Sequence, residues 1–240
     1  MPVHDGVRRS FLLGALSAGL VVVGCGKGAI ARPEAPGSGK DDDEKPEEKV
    51  SPPEDLMREH GVLNRILLIY DESARRLDAG ETLPIDVVAR SADIIRRFIE
   101  QYHEKLEETF LFPRFEKANQ LVDLVATLRR QHLAGRRLTG TIQRLATAAA
   151  IQRPSDRAEL TQNLRQFTRM YRPHEAREDT VLFPAFRRIV PPKEFDALGE
   201  QFEDKEHELF GKEGFEGIVQ QVSVLERQLG TYDLDQFTPT

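Results

Sequence analysis

The chain has 240 residues, of which 39% are hydrophobic and 31% charged, and its formal net charge is −6. These values are typical of a soluble globular domain of ordinary size. Contacts to phosphates require clustered lysine and arginine, so an acidic chain of this kind is not expected to bind nucleic acid. Because Cys25 is the sole cysteine, an internal disulfide and a cysteine-ligated zinc or iron–sulfur site are excluded.

Residues 1–24 have the features of a signal peptide. Arg8 and Arg9 precede an apolar run over residues 11–23, which is too short for a comfortable membrane span. The run ends in V-V-G-C and resembles a bacterial lipobox, in which the cysteine, here Cys25, is lipidated and becomes the mature N-terminus. The order R-R-S-F-L also resembles a twin-arginine export signal, with an ordinary general-secretion signal as the alternative.

Residues 25–53 are predicted to be a disordered acidic tether. They are rich in Gly, Pro, Ser and charged residues and include the acidic run 41–44, so they can bury little apolar area. Lipid on Cys25 implies a protein exported and anchored to a membrane outside the cytoplasm. Gly26 is not the aspartate that typically retains lipoproteins at the inner membrane of Gram-negative cells, so the outer membrane is expected where a cell has one.

The remainder predicts an all-α fold, since no useful stretch alternates with the period of a strand. Apolar residues recur at helical spacing over about residues 55–78, 84–112, 121–150 and 156–183, and one or two further helices reach about residue 229. Four such helices with short connections predict an up-down-up-down bundle over residues 54–190 with a C-terminal helical extension over 191–240.

Local signals set the expected helix ends. Ser51 and Glu54 have the spacing of a capping box at the start of the first helix. Ser155 is the expected cap of the fourth helix. Pro113 is expected to stop or kink the second helix, and Pro184 to close the fourth, because proline disrupts a helix interior.

Two segments of the chain are nearly the same. H-E-K-L-E-E-T-F-L-F-P-R-F begins at His103 and H-E-A-R-E-D-T-V-L-F-P-A-F begins at His174, 71 residues further on. The helix before each segment carries one more histidine, His60 and His132, which lie 72 residues apart. The bundle is therefore predicted to be two copies of one helical hairpin.

The spacing within each copy predicts a metal centre. Positions i and i+4 lie on one face of a helix, so His103 with Glu107, and His174 with Glu178, can point into the core. Unpaired ionisable groups are costly there unless metal ions bind them. Imidazole and carboxylate suit iron, manganese or zinc. The predicted ligands of a two-metal site are His60, His103, Glu107, His132, His174 and Glu178, with both glutamates bridging.

At these residues the chain resembles the hemerythrin-like, HHE cation-binding domain family, over about residues 54–188. The resemblance implies a four-helix bundle with a non-haem di-iron centre, oxo- or hydroxo-bridged, that binds a small ligand such as dioxygen, nitric oxide or peroxide. Glu104 is a further ligand candidate. Oxygen-carrying members have a second histidine four residues after the one on the third helix, where this chain has Arg136.

Several alternatives stay open at this stage. The protein is either a binding module that senses or stores a ligand or metal, or a redox enzyme of peroxidase or ferroxidase type, or an iron-centre repair protein. The repeat allows metal sharing by the first and second helices or by the second and third. Tyr171 is either a hydrogen-bonding or redox neighbour or simple core packing. Glu108 and Asp179 are expected to lie off the ligand face, and His4 and His207 to lie outside the site.

Overall fold

The computed structural model of the chain describes residues 50–239. The predicted signal peptide, Cys25 and the tether up to residue 49 lie outside the described residues. In the part that is described, no helix is long and apolar enough to cross a membrane.

Six long helices make up the described part of the chain, as the all-α prediction required. α1 packs against α2 and α4, and α3 also packs against α2 and α4, which closes the predicted four-helix bundle. α5 and α6 form the C-terminal extension. The helices are α1 (Pro52–Ala79), α2 (85–118), α3 (Val122–Leu145), α4 (154–189), α5 (Pro192–Phe210) and α6 (Gly214–Leu229).

The start of α1 follows the predicted capping box, and a glycine ends the helix. At the start, the Glu54 carboxylate accepts hydrogen bonds from the Ser51 backbone N–H at 3.2 Å and from its hydroxyl at 2.7 Å. Because the helix begins at Pro52, the last two residues of the predicted tether belong to it. Gly80 ends the helix in the left-handed conformation, with φ of 69°, where a side chain would be strained.

α2 and α4 continue past their prolines, so the expected ends near Phe112 and Phe183 are wrong, and the alternative of a kink at Pro113 stays a prediction. α2 changes to π-helical pitch at Ile95–His103 and Glu107–Leu111 before Phe112–Ala118 completes it. α4 has one π-helical segment, Glu178–Leu182. Each proline enters the first turn of the α-helical segment that follows, where its missing N–H costs little. The change of pitch therefore absorbs the proline without ending the helix.

The connection between α3 and α4 also differs from the prediction. α3 ends at Leu145 rather than near Ala150, and a single helical turn at Ala148–Ile151 follows. α4 begins at Pro154 with Arg153 at the capping position, so Ser155 is inside the helix and does not cap it. Proline takes the first helical position because its φ is already suitable and it lacks only an unneeded donor.

The extension covers the outer side of the first hairpin. α6 packs on α1 and α2, and α5 packs on α1 and the π-helical part of α2. Arg65 of α1 binds Glu226 of α6, and the Phe98 and Tyr102 rings of α2 each lie 5.4 Å from the ring of Phe210. The apolar core runs continuously from the bundle into this layer.

Candidate metal centre

All six predicted ligands lie in the core of the bundle, one histidine on α1, one on α3, and a histidine–glutamate pair on each of α2 and α4. Their exposed fractions lie between 0% and 4%. The four histidine side chains come together at the same level of the bundle because each hairpin repeats the same helical register. The sequence-predicted ligand set is therefore one spatial cluster.

The histidines form two pairs. The His60 and His103 ring centroids are 4.7 Å apart, and those of His132 and His174 are 5.1 Å apart. Ligand atoms of each pair and of Glu178 lie within 4.8 Å of one another. Of the two arrangements that the repeat allowed, the structure has the one in which each helical hairpin supplies one pair.

The two carboxylates lie between the pairs. Glu178 Oε2 is 3.4 Å from His60 Nε2 and 3.1 Å from His174 Nε2. Glu107 Oε2 is 3.4 Å from His132 Nε2 and 3.8 Å from His103 Nε2. Each glutamate thus faces one ring of each pair, which is the placement that a bridging ligand requires.

The other ring nitrogen of each of these four histidines is held by a side chain of a neighbouring helix. Such partners fix ring orientation and tautomer and leave Nε2 for a metal. The contacts made by Nδ1 are His60 to Asp179 Oδ1 at 2.7 Å, His103 to Glu59 Oε2 at 2.7 Å, His132 to Glu108 Oε1 at 3.1 Å and His174 to Gln131 Oε1 at 2.9 Å.

Two of these partners correct the sequence-based expectation. Glu108 and Asp179 were expected off the ligand face, but each contacts a ligand ring from the side opposite to the preceding glutamate. Both follow the first residue of a π-helical segment, where a larger number of residues per turn changes the direction of successive side chains. Glu59 and Gln131 were missed. The available signal was their equivalent position, directly before His60 and His132.

The phenylalanine of the repeated L-F-P motif packs against a predicted ligand in each copy. The Phe183 ring stacks on His60 with centroids 5.5 Å apart, and Phe112 stacks on His132 at the same distance. Both phenylalanines are fully buried. They shield the outer faces of the two rings from water, which strengthens electrostatic interactions at the centre.

Glu104, the further ligand candidate, has an oxygen within 4.8 Å of ligand atoms of Glu108 and His132, but two other residues bind its carboxylate. It accepts a hydrogen bond of 2.7 Å from the Tyr171 hydroxyl, and its second oxygen lies 2.7 Å from an Arg136 guanidinium nitrogen. Arg136 also bonds to Glu108 at 2.6 Å. Arg136, which stands where the resemblance places another histidine in oxygen carriers, therefore pairs its single positive charge with two acids beside His132. Tyr171 has the hydrogen-bonding role that was one of its two interpretations.

Gly135 makes room for the Tyr171 hydroxyl, because a Cβ at that position would lie 2.0 Å from it. We expect Gly135→Ala to lower the free energy of unfolding by roughly 1–3 kcal/mol, since the buried ring cannot move aside without strain. Gly140→Ala in the same helix is the matched control. Its Cβ would meet nothing closer than 3.6 Å, and it should stabilise by up to about 1 kcal/mol. Urea unfolding of both variants measures the difference, and equal stabilities would contradict the assignment.

The electrostatics of the six residues favour a bound cation. Burial and the neighbouring Glu178 carboxylate raise the pKa of Glu107 to about 8. Burial opposes ionisation of Glu178 as well, but the His174 and His60 imidazoles hold its pKa well below the ordinary value. Two neighbouring buried carboxylates cannot both be charged at low cost without a positive partner.

Several buried atoms at the centre lack a hydrogen-bond partner, as expected of a site that binds a cation. Both carboxylate oxygens of Glu107 and of Glu178, and Nε2 of His60 and His132, are buried without a hydrogen-bond partner. Such groups normally find partners in a folded protein, and leaving one unsatisfied costs about 1–3 kcal/mol. Imidazole nitrogen and carboxylate oxygen together are a donor set for iron, manganese or zinc. The residues present therefore fit a two-metal centre.

A second acidic group lies behind His103. Ligand atoms of Asp55, Glu59 and Glu206 are within 4.8 Å of one another, and all three side chains are buried. Glu206 comes from α5, accepts a hydrogen bond from the Phe215 N–H at 2.8 Å and lies 3.4 Å from the Tyr102 hydroxyl. The C-terminal extension thus contributes Glu206 to a group with Glu59, the residue that contacts Nδ1 of His103. His207, the next residue, is partly buried and belongs to none of the described groups.

Comparison with known proteins agrees with the fold and the site. The family model described as the hemerythrin HHE cation-binding domain matches residues 51–186 and, in a second overlapping match, residues 123–227. The chain therefore belongs to the hemerythrin HHE cation-binding domain family, whose members bind metal ions, typically iron.

Relatives at 46% identity come from mycobacteria. Proteins described as uncharacterised, from Mycobacterium tuberculosis (strain ATCC 25618 / H37Rv) and Mycobacterium bovis (strain ATCC BAA-935 / AF2122/97), align over all 240 residues, which is 100% of this chain and 93% of each relative. No solved structure matches the chain significantly.

Proposed function

We propose that the protein holds a di-iron centre and binds a small ligand there, with dioxygen, nitric oxide and peroxide as the candidates. The observation that carries this proposal is the convergence of unsatisfied Nε2 and carboxylate atoms between two histidine pairs. His60 and His103 hold one ion, His132 and His174 the other, and Glu107 and Glu178 bridge. Manganese or zinc could use the same donors.

The protein residues would bind the metal ions, orient the histidine rings and shield the centre from water. Four protein donors leave an iron ion of octahedral preference with open positions, which supply Lewis-acid and redox chemistry to a small ligand. Asp179, Glu59, Glu108 and Gln131 keep the four Nε2 atoms facing inward. Both ions would have two histidines, so neither position is closed by a third ring.

Metal analysis and rapid mixing test this function. Protein purified with iron available should contain about two irons per chain. The anaerobic, fully reduced protein is then mixed separately with dioxygen, peroxide and nitric oxide, and the absorption spectrum is followed by stopped flow. Spectral change with one of the three identifies the ligand class. A reproducible ratio near one, or no change with any ligand at full occupancy, contradicts the proposal.

A redox enzyme is the second candidate, and the position of Tyr171 favours it. Its ring lies 5.3 Å from His174, and its hydroxyl donates to Glu104. If the centre holds a redox metal, the buried phenol beside it could be oxidised by one electron, with its proton passing to the Glu104 carboxylate. Turnover of peroxide or of ferrous iron that falls sharply in Tyr171→Phe, with metal content unchanged, would favour the enzyme over the binding module.

For the N-terminal segment we propose export and lipidation at Cys25, with the bundle held at a membrane outside the cytoplasm. The support is the order of Arg8-Arg9, apolar run, V-V-G-C and acidic tether in the sequence. A coil of roughly 28 residues spans on the order of 30 Å, which sets the distance between membrane and bundle.

Cys25→Ser should move the protein from the membrane fraction to a soluble or unprocessed form, because several acyl chains are needed for stable anchoring. Lysine at both Arg8 and Arg9 should block export if the signal is of the twin-arginine type. Mass spectrometry of membrane-extracted protein is the direct measurement. An unmodified Cys25, or a mature chain that begins elsewhere, would end the lipoprotein proposal and leave the metal centre unaffected.

A further inference from the structure

The two histidine pairs have equivalent ligands but different outer partners. The pseudo-two-fold repeat places Glu59 and Gln131 at corresponding positions, and each binds the histidine of the second helix of its own hairpin. His103 therefore has a carboxylate at 2.7 Å, whereas His174 has a neutral amide oxygen at 2.9 Å. The difference is a single functional group at the same place in the two copies.

Asp179 and Glu108, the partners of the other two histidines, add to the difference in charge between the two pairs. Asp179 lies 2.7 Å from His60 Nδ1 and forms no ion pair with lysine or arginine among the described residues. Glu108 lies farther from His132, at 3.1 Å, and also binds the guanidinium of Arg136 and the ammonium group of Lys105. The His60–His103 pair is thus held by two carboxyl groups that have no lysine or arginine partner among the described residues. The His132–His174 pair is held by an amide and a carboxylate, and the two acids on its side, Glu104 and Glu108, are offset by Arg136 and Lys105.

A carboxylate that accepts the Nδ1 proton makes the imidazole a stronger donor, because negative charge shifts onto the ring. Stronger donation and nearby negative charge both favour the more highly charged state of a metal ion. An amide oxygen in place of the carboxylate strengthens the imidazole donor less and brings no negative charge. On this ground, the protein environment would stabilise a ferric ion at the His60–His103 pair more than at the His132–His174 pair.

We propose that the two metal positions are electronically inequivalent, with the His132–His174 position reduced first and the His60–His103 position second. This inference rests on the proposed di-iron function. It assigns the iron ion that is reduced first to the His132–His174 position. An external reductant would supply each electron. His132 and His174 would hold the ion that is reduced first, and His60 and His103 the ion that is reduced second.

The test is a reductive titration of the full-length iron-loaded chain, followed by its absorption and electron paramagnetic resonance spectra. Glu59→Gln replaces the carboxylate with an amide of the same shape and should move the lower-potential step to higher potential. Gln131→Glu makes the reverse change at the other pair and should move the higher-potential step to lower potential. Each variant should therefore reduce the difference between the two reduction potentials. Glu59→Gln changes the lower potential and Gln131→Glu changes the higher one.

Glu208→Gln, which removes one charge from an exposed position on α5, is the matched control and should leave both steps in place. Asp179→Asn is a second variant in case Glu59→Gln folds poorly. It changes the partner of His60 and should move the same step as Glu59→Gln. Chelator competition gives a readout independent of redox state, since loss of an outer partner typically weakens metal binding about 10–100-fold. Glu59→Gln should weaken one of the two metal positions by about tenfold.

The outcomes separate this inference from the function on which it rests. A wider separation in Glu59→Gln, or shifts no larger than those of Glu208→Gln, with two irons per chain confirmed, overturns the inequivalence and leaves the di-iron function standing. Fewer than two irons in the unmodified protein overturns both.

Discussion

Glu178→Ala should remove both metals from the protein, and Glu107→Ala should damage both positions as well. Glu178 Oε2 faces His60 at 3.4 Å and His174 at 3.1 Å, so one side chain serves both histidine pairs. Its loss leaves each position with two nitrogen donors and the remaining glutamate. We expect metal content to fall from about two ions per chain to well below one, measured by elemental analysis of protein purified under identical conditions.

Single histidine variants provide the comparison. His174→Ala removes a ligand of one position only, so about one ion should remain, held mainly by His60 and His103. Glu116→Ala, an exposed change on α2 whose carboxylate pairs with Arg129, is the control and should keep two ions. An intact, magnetically coupled iron pair in the Mössbauer spectrum of Glu178→Ala would contradict the bridging assignment.

Removal of the metal should lower the melting temperature strongly. Without metal, four carboxylate oxygens and two ring nitrogens are buried and unsatisfied at the centre of the bundle. A ligand present at a thousand times its dissociation constant stabilises the folded state by about 4 kcal/mol. For a chain of this size each kcal/mol moves the melting temperature by about 2–4 °C. Two metals should therefore raise it by more than about 10 °C.

Calorimetry of apo and reloaded protein measures this difference, with occupancy confirmed by elemental analysis. Glu107→Ala with Glu178→Ala is the informative control, because the double variant should have lost the response to added metal. It should also melt above the unmodified apo protein, since four unsatisfied oxygens are gone. Identical melting curves for the unmodified apo and holo protein would rule out a contribution of the metal to folding free energy.

Local patterns in the sequence were enough to predict the four bundle helices and a set of candidate ligands that the fold brings together. Helical periodicity and the i, i+4 spacing of His103 with Glu107 depend only on the geometry of one helix. The internal repeat then related the two hairpins, so the four-helix bundle followed without knowledge of any contact. The same reasoning failed at Pro113 and Pro184, because the change to π-helical pitch that accommodates them leaves no signal in composition.

The sequence by itself determined an all-α fold, a duplicated hairpin and six candidate ligands, because these follow from spacing along single helices. Only the tertiary structure decided that His60 pairs with His103, that Glu108 and Asp179 contact ligand rings, and that Glu206 of the extension reaches Glu59 and Tyr102. These contacts join residues up to 147 positions apart, between Glu59 and Glu206. They depend on how each helix is rotated and displaced along its neighbours, which the packing of the whole core sets and no single segment encodes.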